Sequence, residues 1–299
     1  MEVCSVGERW LVTGATGFVG GALVRALAAD SHQVHAVVRR PASDPAVQAV
    51  GAVAATHVHD GTTEGMMAIV ADVQPTVVVH LASNFIAEHK SHEVEPLVRD
   101  NVLFGAQLLE AMRAAGVTRL VNVGSAWQHY HDQDFSPTCL YAATKQAFVS
   151  LLTYWVEAHG VRAVTIEFTD TYGPGDTRRK LIPFMLAAER SGTSMAMVPA
   201  TVPMDFVHVD DAVAAIRVAV SRTEHAVTAG HEIFAVRSGT TRDVRTLFDT
   251  WATARGTVIP ADWGARAVRA REMLEPWSQG AVLPGWSPRV SLEEGLRAL

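Results

Sequence analysis

The chain has 299 residues, of which 48% are hydrophobic, 19% charged and 7% aromatic, a profile that excludes disordered, collagen-like and coiled-coil chains. With 25 Lys+Arg against 31 Asp+Glu the formal charge is −6, so there is no general nucleic-acid surface and any anionic ligand must be met locally. Cys4 and Cys139 are the two cysteines, which provide no disulfide framework and lead us to expect a reducing, cytoplasmic setting.

The length suits either two domains or one large α/β unit. Mean hydropathy is +0.14, high enough that a membrane segment must be considered. Trp10 to Val24, among the longest uncharged stretches, carries four glycines and two threonines and is too short to span a bilayer. It also follows Glu2 and Glu8 rather than a basic leader, so it reads as a buried strand with the loop and helix after it.

In chain order, strands are expected at Trp10–Thr13, Gln33–Val38, Thr56–Asp60, Thr76–His80, Arg119–Val123 and Ala163–Phe168. Runs such as TVVVHLA are continuously apolar, as strands covered on both faces require; the third is weakest because HVH alternates. Between them lie Val19, Leu23 and Leu27 at helical spacing, then helices at Pro96–Ala115 and Tyr141–His159, closed by Gly116 and Gly160. Repeated β-α-β units predict a Rossmann-type, doubly wound parallel sheet with helices on both faces. After Phe168 the rhythm breaks into loop-rich sequence. A helix from Asp210, a strand at His231–Val236 and helices at Thr241–Arg255 and Ser291–Leu299 follow, the last opening on a Ser291/Glu294 capping box. The expected division is a dinucleotide domain over residues 1–169, with 206–222 returning to it, and a smaller interleaved α/β lobe over 170–205 and 223–299.

In WLVTGATGFVGGALVRAL, Gly14, Gly17 and Gly20 lie between a strand and a helix. Glycines there permit a tight turn and close approach to a pyrophosphate, which the helix N-terminus then receives. Sites that read an unphosphorylated ribose place an acid after the next strand. This chain has Arg39-Arg40 there, suited to a 2′-phosphate, so NADP(H) is the expected cofactor. The alternative is two solvated surface arginines. Asp60-Gly61 ends the third strand, where an acid can accept from the adenine amino group or simply cap a solvent-facing turn.

Tyr141 and Lys145 are four apart at the start of a helix, which stacks their side chains on one face about 6 Å apart. An ammonium there favours phenolate over phenol and brings the tyrosine toward neutrality for proton exchange with a sugar oxygen. Ser125, 16 positions earlier, follows a strand at the carboxyl edge of the sheet, where it can hold the same oxygen.

These motifs resemble the extended short-chain dehydrogenase/reductases that act on nucleotide-sugars. TGATGFVG is similar to the family's TGxxGxxG, HLAS to its HLAA strand end, NVLFGAQLLEA to N-x-x-G-T-x-N-L-L-E-A, and YAATK to Y-x-x-x-K. DFVHVDDAV and LPGWSPRVSLEEGL are like its later D-F-x-x-V-x-D and closing L-G-W-x-P-x-x-x-L-E-E-G-L segments. The resemblance implies Tyr141 as proton donor, Lys145 on the nicotinamide ribose, Ser125 orienting the substrate oxygen and Asn101 supporting the lysine. It implies a cofactor shell that adds Thr16, Phe18, Val19, Leu81, Ala82, Ser83, Phe168 and Thr171 to the residues above. Asn84, Trp127, His129, Asp170, Arg179 and Lys180 are implied to meet a nucleoside diphosphate-sugar, and a homodimer is implied through the helices bearing Asn101 and Tyr141.

Departures from the family pattern narrow the reaction. Related 4,6-dehydratases carry an Asp-Glu pair after the hydroxyl residue; here Ala126-Trp127 follow Ser125 and cannot remove water. An arginine-marked NADP site suits net reduction better than the tightly held, recycled NAD of epimerases. Trp127-Gln-His-Tyr130 and DTYGPGDTRRK are most similar to the CDP-paratose/abequose-synthase type of 4-keto-6-deoxysugar reductase. A 4-epimerase is the alternative, and a non-catalytic NADP-sensing protein a distant one. The family's N-V-Y-G-P begins with Asp170, and the arginine that often holds pyrophosphate is Met204; Arg178, Arg179 or Lys180 can supply its charge. The H-x-H pairs His57/His59 and His129/His131 lack a third ligand cluster, so no metal is expected. Cys139 has no His/Asn partner and reads as a spectator, while Trp251, Trp263 and Trp277 read as core of the second lobe.

Overall fold

The apolar runs form strands β1 (Arg9–Thr13), β2 (Gln33–Val38), β3 (Ala55–Val58), β4 (Val77–His80), β5 (Arg119–Ser125) and β6 (Arg162–Phe168). Between them lie helices α1 (Phe18–Ala29), α2 (Pro45–Gly51), α3 (Thr63–Val73), α4 (Val94–Val98), α5 (Phe104–Ala114) and α6 (Leu140–His159). Downstream come β7 (Asp170–Tyr172), α7 (Leu181–Ser191), β8 (Met195–Met197), β9 (Pro203–Met204), β10 (Phe206–His208) and α8 (Val209–His225). The chain closes with β11 (Gly230–Val236), β12 (Arg242–Asp243), α9 (Val244–Arg255), β13 (Ala261–Trp263) and α10 (Leu292–Arg297). This computed structural model describes residues 8–225 and 230–299, and Cys4 and Glu2 lie outside them.

One seven-stranded sheet runs in the order β11-β6-β5-β4-β1-β2-β3, and all its pairings are parallel. The strands are apolar throughout because successive residues feed two different cores. Trp10, Val12, Val77, Val79, Val121, Val164 and Ile166 pack with α1 and α8 on one face. Leu11, Val78, Leu120 and Ala163 pack with α3, α5 and α6 on the other. This two-sided burial accounts for the hydropathy of the chain. The weakest predicted strand, β3, pairs only with β2 at the sheet edge, where Val58 is exposed.

Two expectations are corrected. Residues 231–236 were expected in the second lobe, but β11 pairs with β6 over its whole length as the last strand of the central sheet. Phe234 and Val236, with Leu283 and Trp286, join the core beneath it, so apolar burial returns this segment to the first half of the molecule. The single helix expected over Pro96–Ala115 is broken into α4 and α5 by a wide turn, Arg99–Leu103, with π-helical spacing. Such turns commonly mark functional sites, and this one carries Asn101 inward.

The smaller lobe has its own core around Trp251, Met185, Leu247 and Leu296, with Trp263 packed at its margin. Trp277 is not part of it. Its ring lies against His129, centroids 4.0 Å apart and 2° from parallel, at the seam between lobe and sheet. Helix α9 starts later than expected because Asp243 caps it through Thr246 N, while the Ser291/Glu294 capping box opens α10 as expected.

Candidate active site

The turn after β1 has no room for side chains. Gly14 has φ +75°, and a Cβ there would stand 2.6 Å from the backbone of Leu81 and Ala82. A Cβ on Gly20 would collide with the Gly14 carbonyl. Gly17 caps α1 without a side-chain hydrogen bond, which leaves the first helical amides for a ligand. In front of this turn lies a cavity of about 600 Å³ lined by Gly14, Thr16, Gly17, Arg39, Arg40, Asp60, Gly61, Leu81, Ala82 and Ser83. A second, of about 890 Å³, shares Gly14, Gly17, Leu81 and Ser83 and adds Phe18, Val19, Gly20, Ser125, Tyr141, Lys145, Phe168 and Thr171. A dinucleotide fits this arrangement: a Cβ-free cradle at its centre, arginines at one end and a buried lysine at the other.

At the arginine end, Arg39 Nη1 lies 2.5 Å from Asp100 Oδ1, and Arg40 pairs with Asp44 at 3.3 Å. Arg99 also reaches Asp100, at 3.2 Å, and lines the same cavity. The sequence offered no signal for Arg99 or Asp100, since only the wide turn before α5 brings them there. Asp60 accepts from Thr62 N at 2.8 Å and Thr62 Oγ1 at 2.7 Å; those bonds hold its carboxyl below the usual range. Gly61 O receives Gln107 Nε2 at 2.9 Å, which pins the floor of this end.

Ser125 ends β5 and Tyr141 stands in the first turn of α6, and both line the second cavity together with Ser83. Ser125 is held by its own backbone, its N–H donating to Gln128 Oε1 at 2.9 Å. Lys145, one turn along α6 from Tyr141, is buried and lines the cavity, and no described side chain hydrogen-bonds it. A buried ammonium needs acceptors, and ribose hydroxyls in this cavity are of the right kind. The expected drop in the Tyr141 pKa is corrected. Burial pushes it up to about 12 against the pull of the Ser83 and Ser125 hydroxyls. Lys145 is itself pushed down to about 8 by burial, with Glu167 opposing. In the ligand-free protein the tyrosine is therefore a phenol.

Asn101 does not hydrogen-bond Lys145. Its Nδ2 donates to Asn84 O at 3.0 Å and to Thr144 Oγ1 at 2.9 Å, and its Oδ1 accepts from Asn84 N at 2.7 Å. It thereby ties the loop after β4 to α6 beside the lysine. Asn84 donates its amide to Asp100 Oδ2 at 3.0 Å, toward the arginine end of the cleft and not into the third cavity, which corrects its expected substrate contact. His129 is corrected likewise. It is buried with Nε2 2.7 Å from Glu167 Oε2 and its face on Trp277, behind the cleft rather than in it. The other H-x-H pair diverges, His57 facing His35 and His59 facing Thr62 O.

Trp127, Asp170, Arg179 and Lys180 line a third cavity of about 590 Å³ that opens from the second toward the smaller lobe. Asp170, where the family pattern has an amide, is neutralised by Lys180 at 2.6 Å. Arg178 is consumed structurally by Asp176 and Thr171 and lies over Phe18. Arg179 is the cation of this triplet left without a partner among the described residues. Three lining residues escaped the sequence: Phe85, edge-on to Tyr141 at 4.9 Å, Arg266, and Arg269, whose guanidinium covers Trp127. All sit in loops without a motif.

A glycine cradle, a carboxyl-edge serine and a Tyr-x-x-x-Lys helix around one cleft define a short-chain dehydrogenase/reductase of the extended type. The model of the NAD dependent epimerase/dehydratase family matches residues 10–234, and the chain belongs to that family, whose enzymes modify nucleotide-sugars. It is 25% identical to a CDP-abequose synthase of Salmonella muenchen over 98% of this chain and 97% of that one. The fold is similar to that of a Thermotoga maritima UDP-glucose 4-epimerase solved with UDP-glucose, with TM-score 0.84, 20% identity, and 97% and 96% of the two chains covered. A Thermus thermophilus UDP-glucose 4-epimerase in complex with NAD superposes with TM-score 0.79, 24% identity and 97% of each chain covered.

Proposed function

We propose that this protein reduces the C4 ketone of a nucleoside diphosphate 4-keto-6-deoxysugar with NADPH. Bound at the glycine cradle, NADPH supplies the hydride that makes the ketone carbon an alcohol carbon. Tyr141 donates the proton the carbonyl oxygen needs, and Ser125 holds that oxygen by hydrogen bonding. Lys145 holds the nicotinamide ribose and, as an ammonium below about pH 8, keeps positive charge beside the developing alkoxide.

The observation that carries the reading is the Tyr141–Ser125 hydroxyl pair in a cleft where Ala126 and Trp127 stand in place of an acid–base pair. A carbonyl can be protonated there, while the groups needed to eliminate water are absent from that turn. Three arginines at the far end of the cofactor cleft, Arg39, Arg40 and Arg99, favour a 2′-phosphate over a bare ribose. The similarity to a CDP-abequose synthase along nearly the whole chain supports the same reading. Arg179 and Arg266, both exposed and lining the third cavity, are suited to replace the charge missing at Met204 on the substrate diphosphate.

The test is incubation with NADPH and CDP-, dTDP-, UDP- and GDP-linked 4-keto-6-deoxysugars. One NADPH consumed per sugar alcohol formed is expected. Interconversion of C4 epimers without net consumption would establish the epimerase reading, which the similarity in fold to UDP-glucose 4-epimerases keeps in play. Cofactor binding without turnover of any sugar nucleotide would establish the sensor.

A homodimer in the cytoplasm completes the proposal. Val94 and Val98 on α4 and Tyr154 on α6 are exposed apolar groups on the two helical segments through which pairing is expected. No described helix is long and apolar enough to cross a membrane. Sedimentation at twice the monomer mass, lost on Val98→Asp, is the expected outcome.

A further inference from the structure

Glu167 has no part in the chemistry above, yet it is a carboxylate 1% exposed, placed one residue before the cleft-lining Phe168 of β6. Burying a charge is costly unless it is paired and hydrogen-bonded. Its two hydrogen-bond partners lie behind the cleft, next to the site. Oε1 accepts from Gln128 Nε2 at 2.9 Å, and Oε2 lies 2.7 Å from His129 Nε2. Both partners lie on the short turn that follows Ser125, and Gln128 Oε1 in turn accepts the Ser125 N–H at 2.9 Å. Gln128 Nε2 also reaches Gln146 Oε1 of α6 at 3.0 Å, one residue after Lys145. The packing is tight enough that a Cβ on Gly124 would lie 2.6 Å from Glu167 Cγ and 3.0 Å from Gln128 Oε1. Trp277 closes the far side by stacking on His129.

We propose that Glu167 is a positioning residue for the reaction: through Gln128 and His129 it fixes the turn that presents Ser125 and Trp127, and it sets a negative charge beside Lys145. The charged and titratable groups around the pair are His129 and Asp134 from the turn and loop after β5, His80 from β4, and Lys145 itself from α6. His80 is buried and neutral, hydrogen-bonded to Thr13, so it supplies no counter-charge. Burial raises the Glu167 carboxyl above its usual range, opposed by the His129 hydrogen bond and by the charges of His129 and Lys145, and its carboxylate in turn opposes the discharge of Lys145. The role rests on the proposed reductive chemistry for its consequence but not for its measurement.

The chain contains three lysines, Lys90, Lys145 and Lys180, so carbon-13 NMR of the lysine Cε resonances resolves Lys145 without substrate or cofactor. Glu167→Gln keeps an amide able to meet Gln128 and His129 but removes the charge. The expected result is a Lys145 titration midpoint lower by about 1 pH unit or more, because a neighbouring opposite charge has been lost. With it, kcat measured well above the Lys145 midpoint should fall about tenfold at little change in KM, because a midpoint about one unit lower leaves about a tenth as much of the ammonium. An unchanged midpoint overturns the proposal whatever happens to kcat. Should Glu167→Gln fail to fold, Glu167→Asp carries the test. It keeps the charge and shortens the reach, so the midpoint should hold while kcat falls, and wild-type kcat overturns the positioning role. Because the midpoint is read on the free protein, failure of the ketoreductase reading leaves this result intact.

Discussion

Arg39 spans the adenosine end of the cofactor cleft to Asp100, with Nη1 and Oδ1 2.5 Å apart and Arg39 half exposed. Arg99 shares the same carboxylate at 3.2 Å, so two guanidiniums face one negative charge and positive charge remains for an anion. Arg39→Ala should weaken NADPH by about 1.5–3 kcal/mol, the worth of hydrogen bonds to a charged group, and NADH by much less. Titration calorimetry with both cofactors measures the difference. Equal losses would remove the 2′-phosphate from the argument.

The proton donor is the second target. Tyr141→Phe should lower kcat by roughly 10²–10⁴-fold, the range for a positioned acid, while cofactor affinity stays within a few-fold. Retained turnover would show that another group protonates the substrate.

The pH profile follows from two displaced groups. Tyr141 at about 12 stays protonated throughout the working range. Lys145, lowered from 10.5 to about 8, loses its charge first as pH rises. In the free enzyme kcat/KM should therefore fall on the alkaline side with a midpoint near 8, and Lys145→Met should abolish that limb along with most activity. Stability carries the opposite sign: between about 8 and 10.5 the unfolded chain binds the extra proton, so folding stability rises with pH through that window. Denaturant titrations at pH 7.5 and 10 check that sign, once the other titrating groups are accounted for by comparison with Lys145→Met.

Gly14 offers a structural test independent of chemistry. A side chain at φ +75° is strained, and its Cβ would meet backbone, which cannot swing aside. Gly14→Ala should cost about 1–3 kcal/mol of stability from backbone strain alone and abolish dinucleotide binding. Chemical denaturation together with cofactor fluorescence reads both.

Substrate charge recognition is the last. Arg179→Ala and Arg266→Ala should each raise KM for the sugar nucleotide without moving kcat, as loss of uniform binding does. A fall in kcat at constant KM would assign them to the chemistry instead.

Much of this was legible in the chain. The two-sided apolar strands, the Gly14–Gly20 turn, the Tyr141/Lys145 spacing and Ser125 at a strand end are local patterns, because strand burial, turn geometry and one helical turn are each settled within a few residues. Contacts that join distant segments were not legible. Asn84 and His129 belonged to the expected substrate contacts, yet Asp100 and Glu167 draw them away. The Tyr141 pKa moved the other way because burial, a property of the whole fold, outweighs a cation one turn along the helix. β11 joined the central sheet through pairing with β6, a partner more than sixty residues earlier. The sequence by itself determined that a dinucleotide cradle and a Tyr-Lys helix exist. Only the tertiary structure decided which charges surround them, since a buried charge is set by whatever the packing brings within a few ångströms and not by its neighbours along the chain.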